Sequence, residues 1–301
     1  IRTSGHPPTL PHAFSPPPGM PARTCRPTST LATMATSERA ADASSHRDDA
    51  SFAVAPGVLR IRANNPSQMT LSGTNSYLID GRILIDPGPD LEPHVDALAR
   101  WPIETVLVSH RHRDHTGAID ALVARTGARV FAALDEYCRD AAPLRAGERI
   151  ETESGAVEVL ATPGHTTDSL SFTLVRDGAD RGLVFTADTI LGGITTMLDF
   201  PDGTLGDYLA TLDRLVATGE NLPLQICPGH GPTLPDLASE AQRLRGHRMR
   251  RLEQVATLRD ACGDDAGRIA RRLYADAPEQ VLSVAESMVR ANLAHLQTGD
   301  R

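Results

Sequence analysis

A chain of 301 residues with 40% hydrophobic and 23% charged residues is long enough for one large domain and one small one. Its formal net charge of −8 argues against a surface that coats nucleic acid, and no apolar run approaches the roughly 20 residues that span a bilayer. All 30 basic residues are arginine, so mechanisms that need a lysine are excluded. The four cysteines are widely spaced, without a CxxC pair, which is typical of free thiols in a reducing compartment and predicts a cytoplasmic protein.

Residues 1–51 are predicted to form a disordered N-terminal extension. They are rich in Pro, Ser, Thr and Ala and have no sustained apolar period. The first 37 residues contain three Arg and no acidic residue, a composition that resembles an organelle transit peptide. We favour the alternative that this stretch extends a bacterial reading frame upstream of a true start at Met34.

From residue 52 onward, short β-rich segments alternate with helical ones. Helices are predicted at 90–100, 117–126 and 205–217. Strands are predicted at 57–62, 76–80, 82–86, 105–109, 129–132, 156–161, 169–175, 182–186 and 224–227. Hairpins in each half, with helices between them, favour an α+β fold in which helices enclose two sheets (αββα) over residues 52–235.

Residues 236–301 are predicted to form a small helical C-terminal domain, because they show no strand pattern. Helices are expected at 237–262, 264–274 and 280–297. The first of them contains a cluster of arginines: Arg243, Arg245, Arg248, Arg250 and Arg251. The cluster could bind phosphate groups, but the commoner role of such residues is the solvated face of an amphipathic helix.

The segment after the predicted strand 105–109 is the most informative part of the sequence. Alternation in an extended loop places His110 and His112 on the same side, and Asp114 and His115 follow at the start of the next helix. Imidazole and carboxylate are preferred ligands of divalent metal ions. Three His and one Asp within six residues therefore predict a metal site.

Three distant strand ends support the same prediction. His165 follows the strand at 156–161 in a Pro-Gly-His turn, and His230 follows the strand at 224–227 in another. Asp188 comes directly after the strand at 182–186. A single loop histidine would be weak support. With the segment that begins at His110, however, four separate strands are each followed by a metal-type ligand, and this pattern predicts one shared metal centre.

Together these residues resemble the complete motif set of the metallo-beta-lactamase superfamily, in order and spacing, over about residues 52–235. The resemblance implies two metal sites that share one bridging carboxylate, Asp188. The sites would be His110, His112 and His165 on one side and Asp114, His115 and His230 on the other. Asp86 matches a further family motif, which implies that it orients the His-rich loop and does not bind metal.

The resemblance implies hydrolysis as the reaction class. Two divalent ions about 3.5–4 Å apart can share a bridging hydroxide, which serves as a nucleophile at neutral pH. We expect zinc, with manganese or iron as alternatives. Asp114 is expected to be catalytic, because it can orient the hydroxide and move a proton to the leaving group.

Within the family, the chain is similar to the subgroup around the endoribonuclease beta-lactamase-like protein 2. The similar segments are 65–78, 188–196 and 272–296, the last of which resembles part of a winged-helix tail whose final strands would follow Arg301. This similarity implies cleavage of single-stranded RNA as the leading substrate hypothesis. It also places Asn75 near the pocket as a candidate substrate contact, although a structural role in the turn is the simpler expectation.

Hydrolysis of a small thioester, lactone or ester, as in glyoxalase II enzymes, is the alternative hypothesis. The acidic charge and the 4% aromatic content argue against RNA, and the lack of lysine argues against glutathione thioesters. Beta-lactamases of this fold commonly have Cys, or no acid, where this chain has Asp188, which argues against antibiotic hydrolysis. A metal-binding module without catalysis is disfavoured because all seven ligands are present. Homodimers are common among proteins of the family, so a homodimer is a possible assembly, and the lack of a long apolar run predicts no membrane partner.

Overall fold

The computed structural model describes residues 51–176, 179–276 and 278–298, and within them two β-sheets face each other. The first sheet has six strands in the order of the chain. They are Ser51–Ala55 (β1), Val58–Arg62 (β2), Asn75–Ile79 (β3), Ile83–Ile85 (β4), Thr105–Leu107 (β5) and Arg129–Phe131 (β6). Strands β4, β5 and β6 are parallel neighbours, whereas β1 to β4 form an antiparallel meander.

The second sheet has five strands, with the last strand of the chain at one edge. In chain order they are Arg149–Thr152 (β7), Gly155–Ala161 (β8), Leu170–Val175 (β9), Gly182–Ala187 (β10) and Leu224–Pro228 (β11). Strand β11 pairs in parallel with β10, and the other pairs are antiparallel. The parallel pair places the carboxyl ends of β10 and β11 side by side.

Helices cover the outer faces of both sheets. The described helices are Glu92–Leu98 (α1), Arg113–Thr116 (α2), Ile119–Thr126 (α3), Leu205–Asn221 (α4), Leu237–Cys262 (α5), Ala266–Leu273 (α6) and Glu279–Thr298 (α7), with a 3₁₀ turn at Asp135–Tyr137. Side-chain N-caps start three of them, because Thr204, Asp236 and Asp265 each accept a backbone N–H from the first turn of α4, α5 and α6. None of the described helices is long and apolar enough to cross a membrane.

The main core lies between the sheets. Alternate side chains of β3 and β4 pack against those of β8, β9 and β10, as expected for strands with one face turned inward. The rings of Tyr77 and Phe185 lie 5.1 Å apart across this layer, and the Tyr77 hydroxyl donates to the carbonyl of Pro228 at 2.8 Å. Separate apolar clusters join α1 and α3 to the first sheet and α4 and α5 to the second. The predicted αββα architecture is therefore confirmed.

Two strands were not predicted from the sequence, and one helix starts differently. Strand β1 is half exposed, and β7 alternates charged residues with only one apolar side chain, so neither shows the apolar alternation of a buried strand. The helix expected at 117–126 is instead the pair α2 and α3. The chain turns between them at Gly117, where a β-carbon would lie 2.6 Å from the carbonyl oxygen of Arg113.

The C-terminal helices pack directly on the second sheet and on α4. Helix α5 lies along α4, and side chains of α4, α5 and α7 share one apolar cluster with the outer face of β10 and β11. The helix predicted at 237–262 matches α5, and the division of the chain into domains at residue 235 stays a prediction. The predicted N-terminal extension lies outside the described residues, apart from Ser51, which begins β1.

Candidate metal centre

Seven metal-type side chains come together where the carboxyl ends of four strands meet. β5 leads into the segment from His110 to His115, and β8 leads into the turn with His165. Asp188 follows β10 and His230 follows β11. All seven are the residues singled out in the sequence: His110, His112, Asp114, His115, His165, Asp188 and His230.

The first group of donors consists of three histidine nitrogens. The Nδ1 atom of His112 lies 3.1 Å from Nε2 of His110 and 3.0 Å from Nε2 of His165. His110 and His165 are buried, and His112 is partly exposed, so His112 is the member of this group with the most contact with solvent.

The second group contains two imidazoles and a carboxylate. The Nε2 atoms of His115 and His230 lie 3.4 Å apart. The Oδ2 atom of Asp114 is 3.1 Å from Nε2 of His230 and 3.5 Å from Nε2 of His115. Asp114 is the most exposed member of this group, with 27% of its side chain accessible, whereas the side chains of His115 and His230 are buried.

Asp188 lies between the two groups and presents a different oxygen to each. Its Oδ2 atom is 3.7 Å from Nε2 of His165, in the first group. Its Oδ1 atom is 3.3 Å from Nε2 of both His115 and His230, in the second group. This Oδ1 atom is buried and has no hydrogen-bond partner among the described residues, so one of its lone pairs is free for a ligand.

The separations between the donors fit tetrahedral metal coordination. A zinc ion with bonds of about 2.0–2.1 Å to nitrogen places its tetrahedral ligands about 3.3 Å from one another. The donor pairs given above are 3.0 to 3.7 Å apart, and all donor atoms of each group lie within 4.8 Å of one another. The chemistry of the set, five imidazoles and two carboxylates, also suits divalent ions of this kind.

One buried carboxylate fixes the orientation of two of the histidines. Asp86 accepts hydrogen bonds from the backbone N–H of Ser109 at 2.7 Å, from the Ser109 hydroxyl at 2.7 Å and from Nδ1 of His115 at 2.8 Å. Because the Ser109 hydroxyl donates to Asp86, it accepts from Nδ1 of His110 at 2.9 Å. Both rings therefore hold their proton on Nδ1 and turn the Nε2 lone pair towards the centre.

The other three histidines are oriented in the same way by different oxygens. Nδ1 of His165 donates to the carbonyl of Met197 at 2.6 Å, and Nδ1 of His230 lies 3.3 Å from the carbonyl of Gly73. His112 is turned round, with Nδ1 in the centre and Nε2 3.4 Å from Oδ2 of Asp199. Every imidazole thus has an oxygen next to its outer nitrogen, which turns the inner nitrogen towards the centre.

The carboxylates also make the centre electrostatically favourable for cations. Burial lowers the pKa of His230, but the charge of Asp188 and the contact with Asp114 raise it to about 9. Burial raises the pKa of Asp188, but the neighbouring His230 and His115 hold it well below its usual range. The centre therefore holds ionised carboxylates that compensate positive charge.

Asp199 is a partner of the centre that sequence analysis did not single out. It is the acceptor for His112, and it also pairs with Arg111, which lies between the two histidines of the His-rich loop. Arg111 pairs in addition with Asp202. Asp199 lies in an irregular segment after β10, without a motif around it, so nothing in the sequence marked it as a partner of the centre.

Asn75 has a structural role in the loops around the centre. Its side-chain amide donates to the carbonyls of Pro228 at 2.9 Å and Gly231 at 3.0 Å, which fixes the turn that contains His230. The residue is only 1% exposed. Its hydrogen bonds agree with the structural role considered above, whereas a direct substrate contact by Asn75 stays a prediction.

The arginine cluster on α5 is mostly paired with neighbouring groups of the protein. Four of its five members have a partner: Glu240 for Arg243, Asp213 for Arg245, the Thr196 carbonyl for Arg248 and Gln254 for Arg251. Three of these arginines form contacts at the protein surface, and Arg248 is buried. The cluster therefore offers few free guanidinium groups for phosphate binding.

Glycine is required next to His230 because no side chain fits there. A β-carbon at Gly229 would lie 2.6 Å from Oδ1 of Asp188 and 2.8 Å from Cε1 of His115. We expect Gly229→Ala to displace both ligands, to destabilise the fold by about 1–3 kcal/mol and to weaken metal binding. Metal titration and urea unfolding measure the two effects.

Gly246→Ala is the matched control for this substitution. Gly246 lies within α5, and its added β-carbon would meet only the flexible end of Arg250, at 3.3 Å. This variant should gain up to about 1 kcal/mol from helix propensity and bind metal normally. If Gly229→Ala bound metal as tightly as Gly246→Ala does, the close approach of Gly229 to the ligands would have no functional consequence.

Comparison with known proteins identifies relatives across most of the chain. Residues 69–230 match the Metallo-beta-lactamase superfamily. A "Beta-lactamase-like protein 2 homolog" from Drosophila melanogaster is 30% identical, over 80% of this chain and 87% of the relative. An "Atrochrysone carboxyl ACP thioesterase" from Aspergillus chevalieri is 29% identical, over 82% of this chain and 83% of the relative.

Solved structures show the same fold. A beta-lactamase domain protein from Burkholderia ambifaria superposes with a TM-score of 0.70 at 21% identity, over 85% of this chain and 91% of that chain. A metallo-beta-lactamase family protein from Thermus thermophilus gives a TM-score of 0.66 at 22% identity, over 82% of this chain and 95% of that chain. At these identities the likeness concerns the fold alone.

Proposed function

Because this chain belongs to the metallo-beta-lactamase superfamily and has its metal-dependent hydrolase fold, we propose that it binds two divalent metal ions and hydrolyses an acyl thioester. The observation that supports two ions is the position of Asp188, whose two oxygens face two separate groups of donors. We propose zinc as the metal and the cytoplasm as the location.

Each ion would have its own set of ligands. His110, His112 and His165 would hold the first ion, and Asp114, His115 and His230 the second, with Asp188 shared between them. When bound, ions of this kind make a water molecule nucleophilic at neutral pH and polarise the oxygen of the scissile group.

The chain's own residues would position the reactants and move the proton. Asp114 is partly exposed, and its Oδ2 atom lies 3.4 Å from the hydroxyl of Thr74, which donates to it. The side-chain amide of Asn65 donates in turn to the Thr74 hydroxyl at 3.0 Å. A chain of two hydrogen bonds, from Asn65 to Thr74 and from Thr74 to Asp114, therefore orients the Asp114 carboxylate. We assign to the carboxylate of Asp114 the transfer of a proton from the attacking water to the sulfur of the leaving thiol as the carbon–sulfur bond breaks.

A thioester is proposed ahead of RNA for two reasons. The arginines that would have bound phosphates are largely engaged in ion pairs and hydrogen bonds within the fold. Relatives similar over most of the chain are named as thioesterases, in Aspergillus chevalieri and Aspergillus fumigatus. The RNA hypothesis is supported by the similarity of sequence segments to the subgroup named above, and the experiment below includes it.

Turnover assays on metal-loaded protein test the proposal. We expect hydrolysis of an acyl thioester to fall by about 10²- to 10⁴-fold in Asp114→Asn, which is the range for loss of a general acid–base group. Asp120→Asn is the control, because Asp120 is an exposed residue of α3 that pairs only with Arg139 among the described residues. Fluorescent single-stranded RNA is tested in parallel. RNA cleavage that depends on Asp114, with no turnover of thioesters, would replace the proposed substrate with RNA.

A further inference from the structure

Arg248 is a buried cation of the C-terminal helices that contacts the segment after β10. It lies on α5, is 4% exposed and donates through Nη2 to the backbone carbonyl of Thr196. Its guanidinium carbon lies 5.2 Å from the centre of the Tyr208 ring, and the Tyr208 hydroxyl donates to the carbonyl of Thr189 at 2.8 Å. Arg248 is therefore linked to both ends of the segment from residue 189 to 196, directly at Thr196 and through Tyr208 at Thr189.

The carbonyl that Arg248 binds is next to residues that orient the metal ligands. Thr196 is followed by Met197, whose carbonyl accepts from Nδ1 of His165 at 2.6 Å. Two residues further on, Asp199 is the acceptor for Nε2 of His112. Residues 196–199, here called the ligand-orienting loop, thus set two of the three imidazoles of the first group of donors.

A second contact from the C-terminal helices reaches the same loop. The backbone N–H of Leu198 donates to the sulfur of Met288, on α7, at 3.4 Å. The loop is therefore held by side chains of α5 and α7 through its backbone groups at Thr196 and Leu198. Without them, these backbone groups would have to find other partners or remain unpaired in the interior.

Arg248 is costly for folding by itself. Among the described residues it has no carboxylate within 4.0 Å, and its buried Nε atom has no hydrogen-bond partner. A buried charge without a counter-charge usually destabilises a protein, and replacing it with an apolar side chain is often neutral or stabilising. The contribution of Arg248 to stability therefore does not explain its position, and we look for its role in the contacts that it makes.

We infer that Arg248 is a positioning residue for the first metal site, which it maintains by holding the ligand-orienting loop against His165 and His112. The inference rests on the metal-binding role proposed above and does not depend on the substrate. It makes the C-terminal helices a structural part of the metal centre, although all seven metal-type ligands precede them in the chain.

Arg248→Met should weaken the binding of one metal ion and leave the other nearly unchanged. Loss of an outer partner of a metal ligand typically lowers metal affinity by about 10- to 100-fold. We expect this change for the ion held by His110, His112 and His165. The measurement is titration of the metal-free protein with zinc against a chelating indicator, together with the visible spectrum of the cobalt-substituted protein, which reports the two sites separately.

Arg245→Met is the matched control, because it makes the same substitution one turn away on α5. Arg245 pairs with Asp213 on α4, so its loss removes a contact between the same two helices without affecting the ligand-orienting loop. Both metal ions should bind to this variant as to the wild type. Arg248→Lys should restore part of the lost affinity, because its ammonium group can donate to the same carbonyl but cannot reproduce the flat stacking on Tyr208.

Unfolding by urea separates positioning from stability. The metal-free Arg248→Met protein should unfold at no lower urea concentration than Arg245→Met, while its first site is weakened. Equal weakening of both sites, unchanged affinity, or a loss that follows the unfolding free energy would overturn the inference.

If Arg248→Met does not fold, Met288→Leu keeps the packing and removes only the sulfur acceptor, and its first site should then be selectively weakened. Absence of metal binding by the wild type would instead refute the proposed function.

Discussion

Replacing Asp188 with asparagine should weaken the binding of both metal ions at once, by more than the roughly 100-fold that loss of an outer partner can cause. The carboxylate presents Oδ2 to His165 and Oδ1 to His115 and His230. An asparagine of the same shape offers one neutral oxygen and an amide group that cannot coordinate a metal ion. Both donor groups therefore lose their shared negative charge, and the repulsion between the two cations is less compensated.

The measurement is the metal content after dialysis, followed by zinc titration and thioester turnover. The rate of thioester turnover should fall by at least the same factor as the metal affinity of the more strongly weakened site. Asp120→Asn, the exposed exchange on α3, should keep both ions and full activity. Retention of one ion with wild-type affinity by Asp188→Asn would show that the carboxylate belongs to a single site, and the shared position proposed for it would be wrong.

Asp86→Asn is expected to have the second-largest effect, through two histidines that Asp86 orients without binding metal. An asparagine fits the backbone here, because Asp86 has φ of 54°, a conformation that Asn tolerates well. Its side chain, however, has only one acceptor oxygen for the three donors that Asp86 now satisfies. His115 would lose the partner that keeps its proton on Nδ1, and Ser109 would no longer fix His110.

Both metal sites should therefore lose about 10- to 100-fold in affinity in Asp86→Asn, since His110 belongs to the first group and His115 to the second. Ser109→Ala is the matched comparison, because it removes the hydroxyl between Asp86 and His110 but leaves the contact with His115. It should weaken only the first site. If Asp86→Asn affected one site alone, or neither, the hydrogen-bonded chain through Ser109 would not set the tautomers of the histidines.

These variants form a series that distinguishes how each residue supports the centre. Asp188 and Asp86 should affect both ions, whereas Ser109 and Arg248 should affect only the ion held by the first group. The distinction follows from the contacts. Asp188 contacts both groups, and Asp86 orients one histidine of each, His115 directly and His110 through Ser109. Arg248 reaches only the first group, through the ligand-orienting loop.

The architecture of the fold was largely predictable from local pattern. Strands with buried faces, such as β9 and β10, alternate or are apolar throughout, and α5 begins at an Asp cap and ends before a Gly with φ of 65°. Strands β1 and β7 were missed because each lies at the edge of its sheet, where backbone pairing with one neighbour determines the strand and the side chains need not be apolar.

The sequence by itself determined the seven candidate ligands, because residue type and position at a strand end define the donor chemistry and bring it to one edge of the sheets. Tertiary structure alone decided which oxygens orient three of the imidazoles: the Met197 carbonyl for His165, the Asp199 carboxylate for His112 and the Gly73 carbonyl for His230. It also decided that Arg248 is buried beneath the loop and does not face solvent. Backbone carbonyls are common to every residue and their contacts join distant segments, so no pattern of side chains encodes them.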